Sequence, residues 1–245
     1  MKSNIIFGVH PVLEALHAKH ELDRIFIQKG PVHGKLKEIQ DECFSLGIPI
    51  QKVPVEKLNR ITGKNHQGVI AYQSIVSYAS LENIIDRSFQ GGSDPLLLIL
   101  DRITDVRNFG AIARTAEGFG FNGIIIPEYG SAQINEDAMK TSAGALNNVP
   151  ICRTDDLIGA INYLKSSGLV IVGATEKTDK FYYDLDFKIP MALVMGSEES
   201  GISSQVLSLL DAKAKIPLKG SIASLNVSVA AGVLLYEVVR QRLDS

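Results

Sequence analysis

Cysteine is scarce in this chain of 245 residues: Cys43 and Cys152 are the only two. Two thiols cannot staple a fold, so a disulfide framework is excluded and a reducing compartment is expected. No apolar stretch approaches the roughly 20 residues that span a bilayer. The N-terminal MKSNIIFGVHPVLEAL carries one lysine and an apolar run of five, broken by His10 and Pro11, shorter than the core of a signal peptide. The expectation is a soluble cytoplasmic protein with no membrane partner. A large excess of charge of either sign is also lacking, with a net −2 over the whole chain. Neither a G-x-x-x-x-G-K-[ST] phosphate loop nor a G-x-S-x-G nucleophile elbow occurs, which removes the common NTPase and serine-hydrolase readings. No carboxylate or cysteine completes a metal-ligand set with His10, His17 and His20, so no metal is expected.

A sizeable core is present in the composition: 45% of residues are hydrophobic and 21% are charged. The length corresponds to one or two domains. Charge is unevenly divided. Residues 1–76 hold 10 Lys and Arg against 7 Asp and Glu and contain all five histidines, whereas residues 94–245 hold 14 against 18. A basic first part joined to an acidic remainder fits an anionic partner for the first part, although an excess of three over 76 residues is also ordinary scatter.

Patterning divides the chain at the same place. In residues 1–76 short segments alternate: PVLEALHAK as helix, RIFIQ as strand, KLKEIQDECFSLG as helix, PIQKV as strand, VEKLNRIT as helix and GVIAYQSIV as strand, the pattern of a small α/β domain. Residues 77–93 read as a linker with a weak helix over LENIIDRSF and a Gly91-Gly92-Ser93 break. Residues 94–245 alternate continuous apolar runs (LLLIL, GIIIP, VPICR, LVIVGAT, MALVMG, AKIPL) with helical segments, including NFGAIARTAEGFG, EDAMKTSAGAL, DDLIGAINYLKSSG and a closing NVSVAAGVLLYEVVRQRL. Apolar runs of this kind suit parallel strands buried on both faces, so the fold class is α/β with a parallel sheet.

Gly118, Gly120 and Gly123 spell G-x-G-x-x-G. The dinucleotide fingerprint needs a strand before and a helix after. Here the order is reversed, and the glycines read as a helix end and a tight turn. Three other segments follow strands, where open α/β sheets bind ligands. They are Asn108-Phe109-Gly110-Ala111-Ile112-Ala113-Arg114-Thr115-Ala116, Met195-Gly196-Ser197-Glu198-Glu199, and Ile216-Pro217-Leu218 followed by Ser224-Leu225-Asn226-Val227-Ser228. Singly, each polar residue is a helix cap, a turn or a surface position. Together they define a candidate site.

In this order, N-x-G-x-x-x-R-T-A, the M-G-S-E loop and I-P-L…S-L-N-V-S-V-A resemble the SpoU-type (TrmH-type) RNA 2′-O-ribose methyltransferases of the SPOUT superfamily. Phe7-Gly8-Val9-His10-Pro11 and His66-Gln67-Gly68-Val69 are similar to that family's accessory RNA-binding domain, of ribosomal-protein-L30-like fold. Glu199-Ser200 departs from the glycine many relatives carry after the acidic residue. The resemblance implies S-adenosylmethionine as methyl donor, a C-terminal trefoil knot, a homodimer, and RNA rather than DNA as partner, most closely large-subunit (23S) rRNA methylated at a guanosine. The donor pocket would involve Ala174, Thr175, Met195, Gly196, Ile216, Leu218 and Leu225. The catalytic group would be Arg114 with Asn108, Glu198, Ser224 and Asn226. A guanidinium, with a pKa above about 12, is ill suited to act as a base. Arg114 is therefore expected to clamp phosphate and favour the developing 2′-alkoxide, in its own site or a partner's. A tRNA substrate and a non-catalytic RNA-binding assembly protein are the alternatives.

Overall fold

The computed structural model describes residues 5–92, 94–221 and 224–243; Ser93 of the expected glycine-rich break lies outside them. The described chain divides between Ile75 and Val76 into two compact units.

The first unit runs β1 (Ile5–Phe7), α1 (Val9–His17), β2 (Leu22–Gln28), α2 (Lys35–Ser45), β3 (Ile50–Val53), α3 (Val55–Ile61) and β4 (Val69–Gln73). Its sheet has the order β1-β4-β2-β3, with β4 antiparallel to both neighbours and β2 parallel to β3. β1 was not expected, because three residues are too few to show an alternation. The His66–Val69 segment is a tight turn, with Gln67 and Gly68 at φ 51° and 82°. Gln67 Oε1 accepts from Val9 N (2.9 Å), and His66 Nδ1 accepts from Gly68 N (3.0 Å). The two sequence segments singled out in this unit thus meet at the start of α1.

The second unit runs α4 (Leu81–Gln90), β5 (Leu96–Asp101), α5 (Val106–Gly118), β6 (Gly123–Pro127), α6 (Glu136–Thr141), β7 (Ile151–Thr154), α7 (Leu157–Ser166), β8 (Val170–Ala174), β9 (Met191–Gly196), α8 (Ser204–Leu207), β10 (Ala212–Ala214) and α9 (Val227–Leu243). The six strands form one all-parallel sheet, ordered β10-β8-β9-β5-β6-β7. β5 is buried along its whole length. Its side chains alternate between two cores, as strand geometry requires. Leu96, Leu98 and Leu100 face α5 and α9, while Leu97 and Ile99 face α4 and α7.

Residues 77–92 are not a bare connector. Ala79 N donates to Ile151 O (2.8 Å), and Leu81, Ile84 and Ile85 of α4 are buried in the second unit's core. The apolar spacing of α4 supplies a core face, and the glycines after it only end the helix. The last strand stops at Ala214, so Ile216, Pro217 and Leu218 leave the sheet instead of extending it. EDAMKTSAGAL is divided into α6 and a 3₁₀ turn at Ala145–Asn147, because Ala143 and Gly144 take left-handed φ values. Gly120, at φ 73°, follows the end of α5, as the reversed G-x-G-x-x-G implied.

Candidate active site

The parallel register sets Ala174, Met195 and Ala214 at one level, at the carboxyl ends of β8, β9 and β10. Above them opens a cleft of about 580 Å³, within the usual range for small-ligand sites. All seven expected donor-binding residues line it: Ala174, Thr175, Met195, Gly196, Ile216, Leu218 and Leu225. The alanines keep its floor open, while Met195, Ile216 and Leu234 add apolar surface. Thr175 is turned to local structure, its hydroxyl accepting from Lys177 N at 3.2 Å. Glu176, Lys177, Ser197, Glu199, Ala230 and Leu234 also line the cleft. Ser197, Glu199 and Ala230 stand inside the motif segments without having been singled out, whereas Glu176, Lys177 and Leu234 belong to a turn and a helix face with no motif of their own.

Residues 197–201 close tightly on themselves. Ser197 N donates to Gly201 O (3.2 Å) and Gly201 N to Ser197 O (2.9 Å). A Cβ on Gly196 would run into the backbone of Gly201 and Ile202, so glycine is required there by the loop itself. At its exposed tip, Glu198 Oε1 accepts from Asn108 Nδ2 (3.1 Å), Asn226 Nδ2 (2.6 Å) and Val227 N (3.2 Å). Asn226 Nδ2 also donates to Asn108 Oδ1 (3.1 Å). One carboxylate therefore ties its own loop to two segments that are 90 and 28 residues away from it, and it sits at the positive end of α9.

Local sequence explains each position. Asp105 caps α5, accepting from Arg107 N and Asn108 N, which places Asn108 in the first turn. The glycine of N-x-G serves close helix packing: a Cβ on Gly110 would lie 2.8 Å from Ala138 O of α6. Asn226 also acts as a cap, accepting from Ser228 N at 3.0 Å. The cap and the site readings of this residue thus coincide. Ser224 lines the cleft. Arg114 is not brought to it: the side chain is exposed on α5, six residues beyond Asn108, and is not among the residues lining the cleft.

Both cysteines are free and buried. Burial pushes the Cys43 thiol up to about 12 and the Cys152 thiol up to about 11, so neither is a thiolate nucleophile near neutrality. Packing of α1 against α2 gathers His17, Glu38 and Glu42 on an exposed face, with ligand-type atoms within 4.8 Å of one another. Glu42 is 25 residues from His17 in sequence, so only the packing of the helices brings it there. Among the described residues, no helix is long and apolar enough to cross a membrane.

A parallel α/β sheet with a cofactor-sized cleft at its carboxyl edge, rimmed by a carboxylate–carboxamide cluster, defines a small-molecule-dependent enzyme of the open-sheet class. Residues 95–236 match the SpoU rRNA Methylase family, and residues 5–79 match the RNA 2′-O ribose methyltransferase substrate binding family. The chain belongs to the SpoU rRNA methylase family and is an RNA methyltransferase acting on the ribose 2′-oxygen, with S-adenosylmethionine as donor. It is 33% identical over 237 residues to the Bacillus subtilis TrmH-family protein YacO, named as a tRNA/rRNA methyltransferase, covering 97% of this chain and 95% of that one. A TrmH-family tRNA/rRNA methyltransferase of Staphylococcus saprophyticus is 35% identical over 242 residues, 99% and 97% of the two chains. Among solved structures, the SpoU methyltransferase AviRb of Streptomyces viridochromogenes in complex with AdoMet superposes with TM-score 0.63 at 26% identity, covering 98% of this chain and 91% of that one. The A. aeolicus TrmH/SpoU tRNA modifying enzyme does so with TM-score 0.57 at 29% identity, over 67% and 85%.

Proposed function

We propose that this protein methylates the ribose 2′-oxygen of a guanosine in large-subunit (23S) rRNA, in the cytoplasm and as a homodimer. The observation that carries the reading is the joining of three distant segments through Glu198 at the rim of a cofactor-sized cleft. S-adenosylmethionine supplies an already activated methyl group on a sulfonium. The residues present suit such a molecule: Ile216, Leu218 and Leu225 offer aliphatic surface for a flat base, and the small floor residues leave room for it.

What remains for the protein is alignment and proton loss, and alignment alone contributes up to about 7–11 kcal/mol in favourable cases. Glu198, Asn108 and Asn226 hold the cofactor loop, α5 and the start of α9 in fixed relation. Ser224 presents a hydroxyl at the rim. Arg114 binds the phosphate of the target nucleotide and favours the 2′-alkoxide, with the proton passing to phosphate or water, since a guanidinium does not give up its own. Exposure of Arg114 away from its own cleft supports a role in the site of a partner subunit. Val229, Tyr236 and Leu243 along α9 are 53%, 56% and 76% exposed, which supports α9 as the dimer face.

The first unit is taken as an L30-like RNA-binding domain, and the return of the chain from β10 past the Glu198 loop into α9 as a trefoil knot. Both follow from the resemblance and fit the element order. A tRNA substrate is the alternative, since one relative is named for both RNAs and one solved neighbour for tRNA. The test is transfer of labelled methyl from S-adenosylmethionine to protein-free large-subunit rRNA and, separately, to bulk tRNA, with nucleoside analysis. The expected result is 2′-O-methylguanosine in rRNA, abolished by Arg114→Ala. Labelling of tRNA alone overturns the substrate and keeps the chemistry. Absence of donor binding overturns the enzyme reading in favour of an RNA-binding assembly protein.

A further inference from the structure

Arg102 follows β5 with φ 60°, a left-handed conformation that side chains other than glycine adopt at a cost. Its guanidinium is held at two points. Nε donates to Asp101 Oδ1 (3.3 Å), and Nη2 donates to the carbonyl of Gly201 in the cofactor loop (3.2 Å). Asp101 is itself buried and accepts from Ser203 N at 2.6 Å, so the anchor is rigid. Two anchored donors leave three of the five on a guanidinium unspent, and the side chain is 42% exposed.

Beside it stands a second unexplained residue. Asp101 is level with Gly196 of β9, and continuing the β5–β6 register sets Pro127 level with Asp101. Tyr129 follows two residues later and is 64% exposed. It belongs to neither apolar core of its unit. A Cβ on the next residue, Gly130, would lie 3.8 Å from Arg102 Cγ, so the arginine stem passes alongside this turn. Two strand spacings, about 10 Å, separate the end of β9 from the end of β6, a span one nucleotide covers.

We propose that Arg102 and Tyr129 form a nucleotide subsite for single-stranded substrate RNA, Arg102 binding a phosphodiester and Tyr129 stacking on a base. The subsite rests on the RNA-methyltransferase reading above. An oriented guanidinium with an exposed aromatic ring beside it is the pair that unpaired RNA engages. The backbone strain at Arg102 is explained by the need for a cation where glycine would be easier.

The test uses the full chain and the variants Arg102→Gly, Tyr129→Ala and Tyr129→Phe. Three quantities are measured: S-adenosylmethionine affinity by calorimetry, melting temperature, and the KM and filter-binding Kd for protein-free large-subunit rRNA across salt concentrations. Glycine suits the φ of position 102, but Arg102→Gly also removes the guanidinium from the buried Asp101 carboxylate and from Gly201 O. The melting temperature therefore falls modestly, and a retained donor affinity shows that the fold is kept. Its RNA KM and Kd rise by about tenfold, and its salt slope falls by about one. Tyr129→Ala raises both RNA constants by about tenfold, and Tyr129→Phe restores them. Donor affinity stays at the wild-type value in all three. Unchanged RNA constants in Arg102→Gly and Tyr129→Ala overturn the subsite. A weakened donor affinity in Arg102→Gly also overturns it, assigning the residue to the cofactor loop. Because RNA affinity is read apart from turnover, a wild-type protein that binds RNA without methylating it still tests the subsite. One that binds neither rRNA nor donor overturns the functional reading with it.

Discussion

Glu198 spends one carboxylate oxygen on two carboxamides and a helix N–H. Those partners reach the rim from two distant parts of the chain, Asn108 from α5 and Asn226 with Val227 from the start of α9. Removing the carboxylate leaves the cofactor loop intact through Ser197 and Gly201, but frees its tip from α5 and α9. A hydrogen bond to a charged group contributes about 1.5–3 kcal/mol when well shielded and less in the open. Glu198→Ala is therefore expected to weaken S-adenosylmethionine binding by about tenfold while lowering the melting temperature little. Titration calorimetry alongside a thermal melt checks this, and an unchanged donor affinity would remove Glu198 from its assigned place. At this scale much of the site was legible. Asn108, Glu198, Ser224 and Asn226 stand in short polar segments after strands, and polar residues at strand ends advertise themselves. The support beneath them was not legible: the Asp101 clamp on Ser203 joins residues 102 apart in sequence, and no local pattern announces such a pair. Nor did spacing show that Gly110 is small for the sake of α6 and not for a ligand.

At the level of elements, the closing helix does more than bury its apolar face. Glu237 of α9 is buried yet charged; it accepts from Arg240 Nε and Nη2 (both 2.8 Å) and from Gln241 Nε2 (2.8 Å). Gln241 in turn donates to Leu185 O and accepts from Phe187 N. The helix thereby pins the segment entering β9. Hydrogen bonds from Arg240, more than its charge, hold the Glu237 carboxyl below its ordinary value of 4.5, against the opposing effect of burial. A carboxyl with a depressed folded pKa adds stability that is fully present above the unfolded value and fades as pH falls through the folded one. Glu237→Gln is thus expected to melt below wild type at pH 7, with the gap narrowing below about pH 4.5. Melting curves from pH 7 to pH 3 decide it, and a gap independent of pH would mean that packing, not charge, stabilises the pair. Strand and helix identities were readable here because buried parallel strands are continuous apolar runs. The ends were less so. β10 stops at Ala214 although IPL continues the apolar run, because Ile216 and Leu218 line the cleft instead, and an apolar wall and an apolar strand look alike in sequence.

The whole molecule poses the question of where Arg114 works. On the sequence it stands six residues from Asn108 in one motif, which suggests a shared site. Six residues along an α-helix turn the side chain by about 120° away and carry it about 9 Å onward. In the structure Asn108 meets Glu198 whereas Arg114 is exposed elsewhere on α5. If the proposed homodimer brings Arg114 to its partner's cleft, two defective variants should repair each other when assayed with the donor well below its wild-type Kd. Co-expression of Arg114→Ala and Glu198→Ala chains with different tags, followed by tandem purification, yields a heterodimer. In it, one site combines an intact Glu198 with an arginine from the other chain, and the second site lacks both. By two-fold symmetry the heterodimer then recovers about half of the wild-type methyl transfer at that donor concentration, although the Arg114→Ala homodimer is inactive and the Glu198→Ala homodimer is slowed about tenfold. If Arg114 serves its own subunit, each site carries one defect and the heterodimer transfers no more than the Glu198→Ala homodimer. The measurement also addresses assembly: failure of the two tags to co-purify from a mixture of wild-type chains would deny the dimer itself, and Arg114 would then have to reach the ribose from its own α5, across the rim held by Glu198 and Asn226.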